Sequence, residues 1–167
     1  MRFTSRHWAY LATFLFTALA LGPSLAHLFE LLNKISLGRE QYFTVQGIYT
    51  GWALLGIVVF GELISLLILT FLLRHERWSL YWAVLALLCV IGAQAIFWVW
   101  TYPANVATNN WTEIPDNWEA LRVTWEYSHA VAACLNVVAM TALVLSVLTW
   151  RDASVQAPAG IRQSGQV

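Results

Sequence analysis

Two short motifs place an imidazole and a carboxylate three residues apart, His27-Leu28-Phe29-Glu30 and Glu126-Tyr127-Ser128-His129. Residues three apart on a helix share a face, so each pair can address one point in space. Ionisable groups at a membrane helix are expensive and usually retained for a chemical or transport reason, so His129 and His27 are the first candidates for a catalytic role. The same four side chains, His27, Glu30, Glu126 and His129, could instead hold a single metal ion. Plain hydrogen bonding inside a bundle is the third reading. A di-iron centre fits less well, because such bundles add single carboxylates from two further helices and none lies at this level. Haem between two histidines fits less well still. The cofactor is therefore open between none and one metal ion.

The elements that must position these groups are membrane helices. Of 167 residues, 59% are hydrophobic, 11% are charged and ten are Trp, a composition foreign to soluble domains. Four apolar stretches run over residues 8–29, 47–73, 80–101 and 127–150. Each reaches the roughly 20 residues that span a bilayer core. Trp8, Tyr42, Trp78, Tyr81, Trp100, Tyr102, Trp125 and Trp150 mark their ends as an aromatic belt. The expected fold is an all-α membrane protein, a four-transmembrane-helix bundle over residues 1–151. A disordered tail over 152–167, with Pro158, Gly160 and Gly165, should follow.

Arg2, Arg6, Arg74, Arg77, Arg151 and Arg162 fall on one side, and Lys34, Arg39 and Arg122 on the other. That bias predicts both termini, tail included, in the cytoplasm of a multi-pass protein of the cell (inner) membrane. The lipid bilayer is the implied partner. A net charge of zero gives no argument for nucleic acid. Met1-Arg2 ahead of an apolar core could also open a cleaved signal peptide, but the apolar pattern continues past Gly22-Pro23, as in a Pro-kinked span. Cys89 and Cys134 form no C-x-x-C and read as packing residues. Oligomeric state is left open.

Depth follows from the 1.5 Å helical rise: His27 lies about 28 Å beyond Trp8 and His129 about 6 Å beyond Trp125, both near the outer interface. Trp118, Arg122, Trp125, His129 and Asn136 form one stripe, and Tyr42, Gln46 and Tyr49 another. Gln94, Trp98, Thr101 and Asn105 form a third. Polar stripes turn inward because lipid cannot satisfy them. Candidate substrate contacts are thus Trp98, Asn105, Trp118, Arg122, Trp125, Tyr49 and Gln94. The outer loop, 102–116, is rich in turn formers, and Asp116 with Glu119 reads as a capping box that starts a helix folding over the mouth as a lid. Asn110-Trp111-Thr112 fits a glycosylation sequon.

Glu62 stands near mid-membrane, with Asn136 at similar depth as the expected partner. An ionised Glu62 would suggest a proton path, and with it a non-enzymatic small transporter or an accessory subunit of a membrane complex.

The run Tyr102-Pro103-Ala104-Asn105, then Trp118, Leu121-Arg122, Trp125 and His129, resembles the P-x-N … W-x-x-L-R-x-x-W-x-x-x-H signature of the anthrone oxygenase-like family of small four-helix membrane proteins. Leu21-Gly22-Pro23, His27 and Glu30 are similar to that family's first helix. The resemblance implies an oxidoreductase or oxygenase acting on a small hydrophobic or aromatic ligand. A histidine base would remove an acidic ring proton, leaving a carbanion for dioxygen to attack. Trp98, Trp118 and Trp125 would stack on the ring, and Arg122 would steady a phenolate.

Overall fold

A computed structural model describes residues 3–156 of the chain. The described residues form helices and turns, with no strand among them. α1 runs Ser5–Lys34, α2 Arg39–Gln46, α3 Leu55–Leu72, α4 Arg77–Ile96, α5 Tyr102–Ala107 and α6 Trp118–Gln156. A π-helical turn, Phe97–Thr101, joins α4 to α5, so Arg77–Ala107 is one rod. Four helices are long and apolar enough to cross a membrane: Ser5–Lys34, Trp52–Leu72, Arg77–Ala107 and Trp118–Arg151.

The second span starts later than the hydropathy suggests. Residues 47–54 are two single turns of tight helix, Gly47–Tyr49 and Trp52–Leu54, separated at Thr50-Gly51. Gly51 has φ +88°, a left-handed conformation that costs glycine little and other residues considerably more. The chain therefore bends there, and α2 with its following turn lies apart from the spanning rod. Two other boundaries move for similar local reasons. The third rod carries Pro103 directly after the π-helical turn, and helix continues through it to Ala107, so the loop shrinks to 108–117. α6 begins at Trp118 rather than at Asp116, with Asn117 accepting the first backbone bonds from Ala120 and Leu121. At the far end α6 runs on to Gln156, so the first tail residues continue the helix; residues 157–167 lie outside the described residues.

Packing divides along the helix axes. α6 lies against α4 and α1, and α3 against α1. Toward the termini the core is Leu66, Leu69 and Leu73 of α3, Ala83, Ala86 and Val90 of α4, and Ala139, Ala142 and Leu143 of α6. Small residues let the backbones approach, which is how helices associate where lipid is as apolar as leucine. Gly61 shows this most sharply: a β-carbon there would collide with the Phe16 ring of α1. At the opposite, cap end, a second cluster of Tyr42, Ala104, Trp111 and Trp125 closes the bundle.

Candidate functional site

Under that cap lies a network of ionisable groups, of which His27, Lys34 and Glu126 are buried and Glu30 and His129 partly so. α1 contributes His27, Glu30 and Lys34, whose spacing of three and four keeps them on one face. α6 contributes Glu126 and His129 across from them. Lys34 is the hub and is only 3% exposed. Its ammonium reaches Glu126 Oε1 at 2.9 Å, Tyr49 Oη at 2.9 Å, Gln46 Oε1 at 3.0 Å and Glu30 Oε1 at 3.7 Å. It also lies 4.6 Å from the ring centroids of both Trp125 and Tyr49. Glu126, fully buried, accepts a second bond from Tyr42 O–H at 2.9 Å, while its Oε2 has no partner. A charge in this position is tolerable only because it is paired and hydrogen-bonded.

The histidines sit one turn deeper. His27 Nδ1 lies 3.1 Å from Glu30 Oε1. With the proton on Nδ1 donated to that carboxylate, Nε2 keeps its lone pair, the tautomer a general base needs. The His27 and His129 rings stack at 4.1 Å and 26°. Trp125 meets His129 edge to face at 4.2 Å, and Trp52 meets His27 at 5.5 Å. Glu30 also accepts the Tyr49 hydroxyl. Both phenols of the second segment are held protonated: burial pushes Tyr42 far above its usual range, with the Glu126 charge adding to it, and burial together with the bond to Glu30 does the same to Tyr49.

The cap itself is held by Asn105 and Arg122. Asn105 Oδ1 accepts the indole N–H of Trp125 at 2.8 Å and of Trp111 at 3.1 Å. Asn109, Asn110 and Trp111 are successively left-handed, at φ 45°, 54° and 66°, and the bonds of Trp111 to Asn105 and Thr108 Oγ1 hold that costly turn. Arg122 donates to the Leu37 carbonyl at 2.6 Å and lies over the Trp118 ring at 4.7 Å, clamping the α1–α2 turn to α6. Comparison with protein-family models, with curated proteins and with solved structures finds no match for this chain. What the site can do must therefore be read from its geometry.

That geometry brings together His27, Glu30, Tyr49, Trp125, Glu126 and His129. Other candidates stand elsewhere. Trp98 is 58% exposed and touches Phe97 and Tyr102 rather than the histidines. The inward line here is Ala93, Thr101, Ala104 and Thr108, and Trp98 lies off it, in the π-helical turn that shifts the α-helical register. Gln94 is off that line as well, and only partly buried. Asn105, Trp118 and Arg122 belong to the cap: Asn105 accepts the two indole N–H groups, Arg122 donates to Leu37, and the Trp118 ring packs on Tyr42 and Phe43. The metal reading fails on geometry: among the described residues no three His, Cys, Asp or Glu side chains are placed to hold an ion. The Lys34 ammonium sits between the two carboxylates where a cation would, and stacked imidazoles do not converge their lone pairs. Nor does Glu126 pair with Arg122, since Lys34 holds it.

The sequence reading missed Lys34, counting it only as a flanking charge. The signal was available: it lies four residues after Glu30 and seven after His27, on the same face. Glu62 also departs from expectation. It is buried, but Asn136 donates to Ser24 Oγ at 2.9 Å instead, and the polar group beside Glu62 is Thr17, whose hydroxyl lacks a hydrogen bond.

Proposed function

We propose that the protein is an integral membrane enzyme, anthrone oxygenase-like, that abstracts an acidic proton from a small, hydrophobic aromatic substrate. His27 is the base, oriented by Glu30, and His129 forms the opposite face of the imidazole pair. The single observation that carries this is the His27–His129 stack with His27 Nδ1 on Glu30, because an oriented base beside a stacked partner is hard to explain as packing alone. The overall change is R₂CH₂ + O₂ → R₂C=O + H₂O: the base takes one ring proton, the carbanion passes its electrons to dioxygen, and loss of water from the hydroperoxide leaves the ketone. Lys34 and Tyr49, engaged with Glu126 and Glu30, hold in place the carboxylate that orients His27. His129→Gln and His27→Gln retain a donor and an acceptor at similar reach. Each is expected to keep the fold while lowering anthrone turnover by about 10² to 10⁴. Unchanged turnover in both would remove the histidines from the chemistry.

The cap faces outward and both termini lie in the cytoplasm of the cell membrane in this reading, supported by the Arg-rich terminal side. A cysteine at Asn109 should react with impermeant thiol reagent in intact cells, and one at Ser164 only after lysis. The competing transporter reading draws on Glu62, a buried carboxyl in no ion pair among the described residues. Glu62→Gln abolishing proton flux into vesicles, with anthrone turnover absent throughout, would favour it.

A further inference from the structure

Resting on that reading, we propose that the substrate reaches the histidines sideways, from the bilayer leaflet at the cap end, through a cleft whose inner wall is Trp52. Two observations carry this. On the water side the site is roofed: Tyr42, Thr108, Trp111 and Trp125 are all buried, and Arg122 clamps the roof to Leu37. On the lipid side, between α1 and the start of the second span, Pro23, Gly51, Trp52, Leu54, Leu55 and Val58 line a cleft of about 430 Å³. Its residues lie within or beside two membrane-crossing helices, so bilayer molecules are what it meets.

The cleft is continuous with the site through one ring. Trp52 lines it and packs 5.5 Å from His27 and 4.9 Å from Tyr49. The ring hangs directly after Gly51, where the chain is bent out of helix. A displacement of this one indole would join the cleft to His27, whereas entry from water requires opening the whole aromatic roof. The chemistry of the lining selects the occupant. No charged side chain is present, and the volume falls within the range of small-ligand sites, about 300 to 1,000 Å³. The occupant is an uncharged, ring-bearing lipophile dissolved in the membrane, its ring against Trp52 and its acidic C–H or carbonyl toward His27.

The test uses benzophenone, an uncharged aromatic ketone that inserts into nearby C–H bonds on irradiation, partitioned into nanodiscs holding the full chain. Adducts mapped by peptide mass spectrometry should concentrate on residues 51–58 over the exposed Leu67, Ile68 and Phe71 of the Leu67–Phe71 stretch by about tenfold, the ratio that about 1.4 kcal/mol of binding produces. Excess anthrone should compete them away. Val58→Trp, which fills the cleft, should bring labelling there down to the level of Leu67–Phe71; Leu55→Phe serves where the larger change prevents folding. Labelling in proportion to exposure, or displaced equally by a saturated hydrocarbon, would overturn the inference by showing a surface or an acyl-chain groove. Because photolabelling needs no turnover, failure here leaves the histidine test standing, and failure of that test leaves the cleft.

Discussion

The two ends of the bundle solve the same problem, joining helices in lipid, with opposite materials. The terminal end uses Ala83, Ala86, Ala139 and Ala142 at close contact and a ladder of neutral hydroxyls: Tyr10 O–H donates to Ser146 Oγ at 2.8 Å, and Ser146 donates on to the Ser79 carbonyl at 2.8 Å. Its ion pair, Arg6 with Glu76 at 2.8 Å, stays at the partly exposed edge. The cap end buries Lys34, Glu126 and His27 among aromatic rings, with Glu30 and His129 partly buried beside them. Small residues and hydroxyls would have joined helices there as well. Ionisable groups cost desolvation energy that hydrophobic packing avoids, so cohesion alone does not account for their concentration at one end, whereas the proposed chemistry would.

The largest way to break the contrast is to remove the hub. Lys34→Met keeps the apolar stem but leaves Glu126 buried without its cation, and should cost about 3 to 5 kcal/mol in a detergent unfolding experiment. Adding Glu126→Gln should recover most of that loss, since the double change leaves no uncompensated charge. A loss below about 1 kcal/mol for Lys34→Met would put the pair with exposed ion pairs and cancel the distinction between the two ends.

How far each end was legible follows the same division. Four spans, their helical class and the shared face of His27 and Glu30 with Glu126 and His129 could be read from hydropathy and from spacing, which are local properties. The place of Lys34 on that face was legible too, but its role was not, because that depends on a segment that folds back: Gln46 and Tyr49 meet it only after the Leu37-Gly38 turn. Trp98 misled because a stripe of polar and aromatic residues at helical spacing fixes a face only to within about 100°, one residue's turn. The inward side there was settled by small Ala93 and Ala104, which hydropathy does not distinguish from their neighbours. Asn136 and Glu62 were matched by depth alone, and depth does not say which helix faces which.

A smaller effect probes the cap end by pH. Unfolded, Tyr42 and Tyr49 ionise near pH 10. Folded, burial holds both as phenols well above that, so past this point the unfolded chain binds fewer protons and stability falls; below it their contribution is fully present. Each phenol should therefore lose about 1.4 kcal/mol of its contribution per pH unit above about 10. Unfolding measured at pH 8 and pH 11 should show this slope flattened in Tyr42→Phe and in Tyr49→Phe. The tyrosinate absorbance of the folded protein over the same interval should be unchanged by either substitution. An absorbance that drops would mean the phenol titrates freely and the cap is open to water.

The smallest expected effect tests the terminal end. Tyr10→Phe deletes one hydroxyl while keeping the ring that packs on Phe14 and Trp150. The partner it abandons, Ser146 Oγ, still donates to the Ser79 carbonyl, so no buried donor is orphaned. An interhelical hydrogen bond in a membrane protein is worth about 0.6 kcal/mol on average, and the substitution should cost no more than about that. Turnover should be unaffected, since Tyr10 precedes His27 by 17 residues along α1, about 25 Å of helix. A loss several times larger, or any change in anthrone turnover, would show that the hydroxyl ladder is coupled to the buried charges, and the bundle would then have to be treated as one polar network rather than as a neutral base carrying a reactive head.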